Sequence, residues 1–207
     1  MFDPMVRRLI DPPLDRAGVW LAGRGVGANQ MTLAGLAVGL AAVPALALGH
    51  YVIALVLILL NRTMDGLDGA IARQGRAPGP DGGFGGYLDI VCDMAFYAAV
   101  PVGFAIADSA ANALPACALL ASFVCTAASF LGRAVLAAQH GEADSGARGR
   151  KSFFHSAGLI EGSETVAAFV AFSLLPGNFP VLAWVFAGLC FWTAATRVWW
   201  SFQEVQP

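Results

Sequence analysis

Two pairs of aspartates set inside strongly apolar sequence constrain this chain more than any other feature. The stretch Met64 to Asp93 reads MDGLDGAIARQGRAPGPDGGFGGYLDIVCD. Asp65 and Asp68 are three residues apart, and Asp89 and Asp93 are four apart. On helices, each spacing places its pair on one face. The glycines and prolines between the pairs predict a turn. Two antiparallel helices therefore bring the carboxylates together at one end. Their surroundings are apolar, since Tyr51 to Leu60 reads YVIALVLILL and Ala95 to Ala107 is almost wholly apolar. Acids inside membrane-type helices are rare, costly and usually functional. A solvated helix end with stray acids would not explain the regular spacing or the intervening Arg73. Like charges crowded together repel, and a divalent cation, or a pair of them, is the ordinary remedy. An all-oxygen ligand set suits a hard ion such as Mg²⁺ or Mn²⁺.

Composition decides the solvent. The chain has 207 residues, 57% hydrophobic and only 13% charged, against about 25% charged in soluble domains. The expected class is an all-α integral membrane protein. Residues 1–27 form an amphipathic juxtamembrane segment, expected to lie on the membrane surface and to break near Pro12 and Pro13. Residues 28–207 form a bundle of six transmembrane helices, near residues 29–48, 51–73, 86–107, 113–139, 156–175 and 180–202. Cys92, Cys117, Cys125 and Cys190 lie in apolar segments and read as small apolar residues, not disulfides or ligands.

Charge gives the orientation. Arg7, Arg8, Arg16 and Arg24 precede the first span, and Arg73 and Arg76 fall in the second loop. Arg148, Arg150 and Lys151 fall in the fourth loop, with Arg133 just inside the membrane and Arg197 near the last helix's end. The first, third and fifth loops carry no Lys or Arg. With an even number of spans, all these positions share one side. The positive-inside rule then expects both termini and the aspartates at the cytoplasmic face of a multi-pass inner-membrane protein. At about 1.5 Å per residue, Asp65 lies roughly 12 Å from the Arg73 end. Asn61, Asp65, Asp68 and Ala72 share a helix face that must line a polar cavity, because lipid would not tolerate it.

The motif resembles the signature of the CDP-alcohol phosphatidyltransferases, D-x-x-D-G-x-x-A-R, a spacer, then G-x-x-x-D-x-x-x-D. Asp65, Asp68, Gly69, Ala72, Arg73, Gly85, Asp89 and Asp93 fill every fixed position. The spacer from Gln74 to Phe84 is a few residues longer than the family usually shows. Upstream, Asn29 and Thr32 resemble the approach to the family's first membrane helix.

The resemblance implies an enzyme of phospholipid synthesis. It would move a phosphatidyl group from CDP-diacylglycerol, or a similar CDP-linked lipid, to an acceptor alcohol and release CMP. It implies two Mg²⁺ or Mn²⁺ ions held chiefly by Asp65, Asp68 and Asp89. Asp93 would be the general base and could also touch metal. Gly69, Ala72 and Gly85 would leave room for the cytidine diphosphate, and Arg73 would grip the diphosphate with a bidentate fork. A homodimer is also implied. Membrane lipids are expected partners and nucleic acid is not. Arg133, Glu161, Glu164 and Arg197 are candidates for the acceptor pocket, or for an ion-paired layer that orders the last three helices. Glu161 and Glu164 are expected about two turns inside a helix that starts near Ser156. Two other readings of the acids are an aspartate-rich membrane prenyltransferase and a non-enzymatic cation transporter. The first would normally show a second acidic motif, and none of that density follows Asp93; the second does not account for Gly69, Ala72 and Arg73 at their spacing.

Overall fold

The computed structural model describes residues 3–74, 83–139 and 160–205, with backbone alone at residues 3–9 and 204–205. Arg76, His140, Arg148, Arg150, Lys151 and His155, singled out above or flanking the loops, lie outside the described residues. Every regular element among the described residues is helical: α1 (Asp3–Ala22), α2 (Ala28–Ala47), α3 (Tyr51–Ala72), α4 (Phe84–Ala107), α5 (Ser109–Gln139), α6 (Gly162–Leu174), a 3₁₀ turn (Pro176–Asn178) and α7 (Phe179–Val205). This is the all-α membrane class expected. Among the described residues, four helices are long and apolar enough to cross a bilayer: α2, α4, α5, and α7 together with its leading 3₁₀ turn. In α3 the helix is long enough, but Arg62, Asp65 and Asp68 interrupt its apolar sequence. The 13 residues of α6 reach only about 20 Å, so these lengths alone do not establish a count of six complete spans.

Small residues set how closely the helices meet. A Cβ on Gly39 of α2 would stand 2.6 Å from the Phe96 ring of α4 and 2.8 Å from the Asn61 amide of α3, so only glycine lets these three helices approach here. The tight turn from α2 to α3 uses Gly49 at φ 74°, where side chains with a Cβ are strained. Deeper in the bundle, α4, α6 and α7 meet through fully buried Phe104, Phe172 and Phe179. Phe104 stacks on Phe179 with ring centroids 4.4 Å apart, and Phe172 meets Phe179 edge-on at 5.3 Å. Offset stacks and edge contacts suit the aromatic quadrupole. Outward positions such as Val52, Leu114, Val124 and Val181 are apolar and exposed, as a lipid-facing surface requires. All four cysteines are free; Cys92 and Cys190 are buried, whereas Cys117 and Cys125 face outward.

Two expectations change. The first helix does not break at its prolines, because α1 is continuous from Asp3 to Ala22 with Pro12 and Pro13 inside it. Proline's fixed φ is compatible with a helix, and what is lost is the donor to a carbonyl one turn back. Packing offsets that loss. A Cβ on Gly18 would stand 2.7 Å from Ala70, and one on Gly66 would stand 2.6 Å from Leu14, so α1 lies directly on the Arg73 half of α3. The second change concerns α6, which starts at Gly162, not near Ser156. Glu161 is its N-cap, and the Glu161 N–H donates to Glu164 Oε2 at 3.1 Å. A carboxylate satisfying the free amides of a first turn favours this start. The two glutamates therefore sit at the helix end and not two turns within it.

Candidate active site

Helices α3 and α4 each pack on α2, and their aspartates meet across the cleft between them. Carboxylate oxygens of Asp65, Asp89 and Asp93 all lie within 4.8 Å of one another, each residue half-buried. Asp68 stands beside this trio, on the wall of a cleft it shares with Asp65, Asp93, Cys92 and Thr32. It is buried, and its Oδ2 accepts a hydrogen bond of 2.6 Å from the Thr32 hydroxyl of α2. All four aspartates expected as ligands line this one region. Here Asp93 completes the trio, and Asp68 has one oxygen already engaged. Hard oxygen donors at this spacing, partly withdrawn from water, fit a divalent cation such as Mg²⁺ or Mn²⁺.

The sequence reading passed over Arg62. Its side chain is 12% exposed, and each nitrogen has a partner. Nε donates to Asn61 Oδ1 at 2.7 Å. One terminal nitrogen donates to the Tyr97 hydroxyl at 3.2 Å and lies 3.6 Å from Asp65 Oδ2. The other donates to Asp93 Oδ1 at 2.9 Å. The guanidinium also lies over the rings of Phe96 and Tyr97, 4.6 and 5.2 Å from their centroids. Asn61 is anchored in turn, donating to the Gly35 carbonyl at 2.8 Å. The available signal was spacing. Arg62 precedes Asp65 by three residues, on the same helix face, and an arginine within an apolar helix needs an internal partner.

The remaining motif residues occupy the open end. Arg73 caps α3 and is half-exposed, with its terminal nitrogen bonded to Asp15 of α1 at 2.7 Å. Ala72 and Gly85 are exposed, and Gly69 is half-buried. A Cβ on Gly85 would stand 3.2 Å from Asn29 Oδ1, so this glycine lets the start of α4 approach α2. The four acceptor candidates belong to other helices than the trio. Arg133, Glu161, Glu164 and Arg197 come from α5, α6 and α7 and are all half-buried. Arg197 donates to the Thr126 carbonyl at 3.4 Å and lies in the field of Glu161. Gly162, next to Glu161, lies close to Tyr97, since a Cβ there would stand 3.9 Å from the Tyr97 hydroxyl.

With that geometry in view, comparison with known proteins decides the family. The family model for CDP-alcohol phosphatidyltransferase matches residues 26–200. The chain belongs to that family. Inner membrane protein YnjF of Escherichia coli K12 is 45% identical over 199 residues, covering 96% of this chain and 94% of that protein. The archaetidylinositol phosphate synthase of Pyrococcus horikoshii is 34% identical over 101 residues, covering 49% of this chain and 52% of the relative. That of Methanothermobacter thermautotrophicus is 36% identical over 92 residues, 44% and 42% of the two chains. The chain is thus a multi-pass membrane CDP-alcohol phosphatidyltransferase, a transferase of phospholipid synthesis. The prenyltransferase and transporter readings end here. The matched span contains α2 to α6 and all but the tail of α7; α1 precedes it.

Proposed function

We propose that this protein transfers a phosphatidyl group from CDP-diacylglycerol, or a closely similar CDP-linked lipid, to an acceptor alcohol with release of CMP. The observation that carries the reading is the convergence of Asp65, Asp89 and Asp93 below the open end that bears Arg73. Asp65, Asp68, Asp89 and Asp93 would hold Mg²⁺ or Mn²⁺, with two ions as the full complement. When bound, such ions neutralise charge on a transferring phosphoryl group and help to align it. The Arg73 fork binds the diphosphate, while Gly69, Ala72 and Gly85 leave space for the nucleotide. Asp93 accepts the proton of the acceptor hydroxyl. A carboxylate held within hydrogen-bond reach of the acceptor hydroxyl can serve as such a base. The hydroxyl oxygen then bonds to the lipid-side phosphorus as the bond from that phosphorus to the CMP oxygen breaks. Acyl chains stay in the bilayer throughout.

The acceptor enters, on this reading, at the start of α6, where Gly162 adjoins Tyr97. Arg133, Glu161, Glu164 and Arg197 form its pocket. Two arginines there favour an acceptor that carries phosphate, in keeping with the names of the two partial relatives. Both termini and the site face the cytoplasm, as the charge bias requires. Residues 1–27 are a juxtamembrane segment, residues 28–207 the catalytic domain, and the working unit a homodimer.

The test is direct. Purified protein is given CDP-diacylglycerol and a panel of alcohols, including glycerol phosphate, inositol, inositol phosphate and serine, and CMP is measured. CMP release is expected with one acceptor and with Mg²⁺ or Mn²⁺ present. Full turnover in excess chelator would overturn the metal requirement, and absence of CMP across the panel would overturn the transfer.

A further inference from the structure

The motif accounts for the aspartates but not for the cation among them. We infer that Arg62 is a positioning residue for Asp93, fixing which carboxylate oxygen faces the acceptor; this rests on the proposal that Asp93 takes the acceptor's proton. The guanidinium is held from three sides. Asn61, locked to the Gly35 carbonyl, fixes Nε. The Tyr97 hydroxyl, one helical turn beyond Asp93, fixes one terminal nitrogen. The rings of Phe96 and Tyr97 form its floor, and glycine at position 39 makes room for both Phe96 and Asn61. What remains is one terminal nitrogen, aimed at Asp93 Oδ1 at 2.9 Å. A planar fork clamped on its other nitrogens holds its partner's direction far better than a flexible ammonium would. With Oδ1 engaged, Arg62 fixes how the Asp93 carboxylate is turned toward the cleft it lines.

Counter-charge alone does not explain this construction. A lysine would supply the same charge to Asp65 and Asp93, yet it has no second or third fixed nitrogen for Asn61 and Tyr97 to hold. The network also reaches toward the proposed acceptor pocket, because Tyr97 touches Arg62 on one side and adjoins Gly162 on the other.

The experiment is a double-mutant cycle of Arg62→Lys and Asp93→Asn in the full-length protein, with CDP-lipid affinity measured separately by titration. A misplaced base costs turnover rather than affinity. Arg62→Lys is expected to lower kcat about a hundredfold, with the KM of both substrates within about twofold and CDP-lipid binding retained. In the Asp93→Asn background it should cost almost nothing more, because there is no longer a base to aim. Additive losses in the cycle, or normal kcat in Arg62→Lys, would overturn the inference while leaving Asp93 as the base. Near-normal turnover in Asp93→Asn would overturn the base assignment and the inference with it. Should Arg62→Lys fail to fold, Arg62→Ala is assayed with added guanidinium: restored kcat supports positioning, and loss without recovery in folded protein opposes it.

Discussion

The two ends of helices α3 and α4 are built on opposite principles. Toward Gly49, α3 presents Ala54 and Ile58 and α4 presents Val100 and Phe104, all fully buried and apolar. Toward Arg73, the same helices present Asn61, Asp65, Asp68, Asp89 and Asp93, most of them partly open. One end is held by shape and dispersion, complete without any ligand. The other gathers like charges, which is favourable only when something of opposite sign joins them. The boundary is sharp. Arg62 rests on Phe96 and Tyr97, the last rings of the aromatic core, and reaches Asp93 with its free edge. Stability and chemistry should therefore separate along these helices. A change at one end should show itself as lost turnover, and at the other as lost folding.

The largest expected effect is at the charged end. Asp89→Ala should lower CMP release by more than about a thousandfold, because it removes a donor from the trio that aligns the transferring group. Its thermal midpoint in chelator should be equal to or above that of the unaltered protein, since a like charge has left a crowded site. Added Mg²⁺ should raise the midpoint of the unaltered protein and much less that of the variant, as binding to the folded state requires. A variant that loses stability in chelator along with turnover would show that the acids also hold the fold.

The opposite change tests the aromatic end. Phe179 is fully buried and stacked on Phe104 at 4.4 Å. Phe179→Ala should cost about 3–5 kcal/mol of stability through the cavity left behind. Both KM values in the surviving folded fraction should be unchanged. A shifted acceptor KM with unaltered stability would erase the division proposed for the two ends.

How much of this was legible beforehand follows the same division. The acids announced themselves because Asp65, Asp68, Asp89 and Asp93 interrupt apolar sequence at helical spacing, a local signal that needs no fold. The fixed glycines and Arg73 then gave the family. Arg62 was missed because cations were weighed by loop, for orientation, and this one lies within a span. The bond from Thr32 to Asp68 joins residues 36 apart, and no periodicity reports such a pairing. The start of α6 was misplaced because apolar content extends a helix on paper. The cap made by Glu161 and Glu164 ends it in fact. The continuity of α1 through Pro12 and Pro13 depends on its seat against Gly66 and Ala70, which belongs to tertiary structure.

The smallest expected effect lies where α1 meets the charged end. Arg73 and Asp15 are bonded at 2.7 Å, with side chains 53% and 46% exposed. An ion pair so open to water is worth roughly 0.2–1 kcal/mol, and Gly18 and Leu14 still seat α1 on α3 without it. Asp15→Asn should therefore leave the thermal midpoint almost unmoved. Its consequence is for substrate. The Arg73 fork that meets Asp15 is the one proposed to hold the diphosphate, so carboxylate and diphosphate compete for it. Relieving the competition should lower the KM for CDP-lipid by about two- to fivefold, the ratio that roughly 0.4–1 kcal/mol allows, with kcat unchanged. The difference should shrink at high salt, which screens an exposed pair. A higher KM in the variant would reverse the reading: Asp15 would then hold Arg73 in the orientation that diphosphate needs, and α1 would be part of the site.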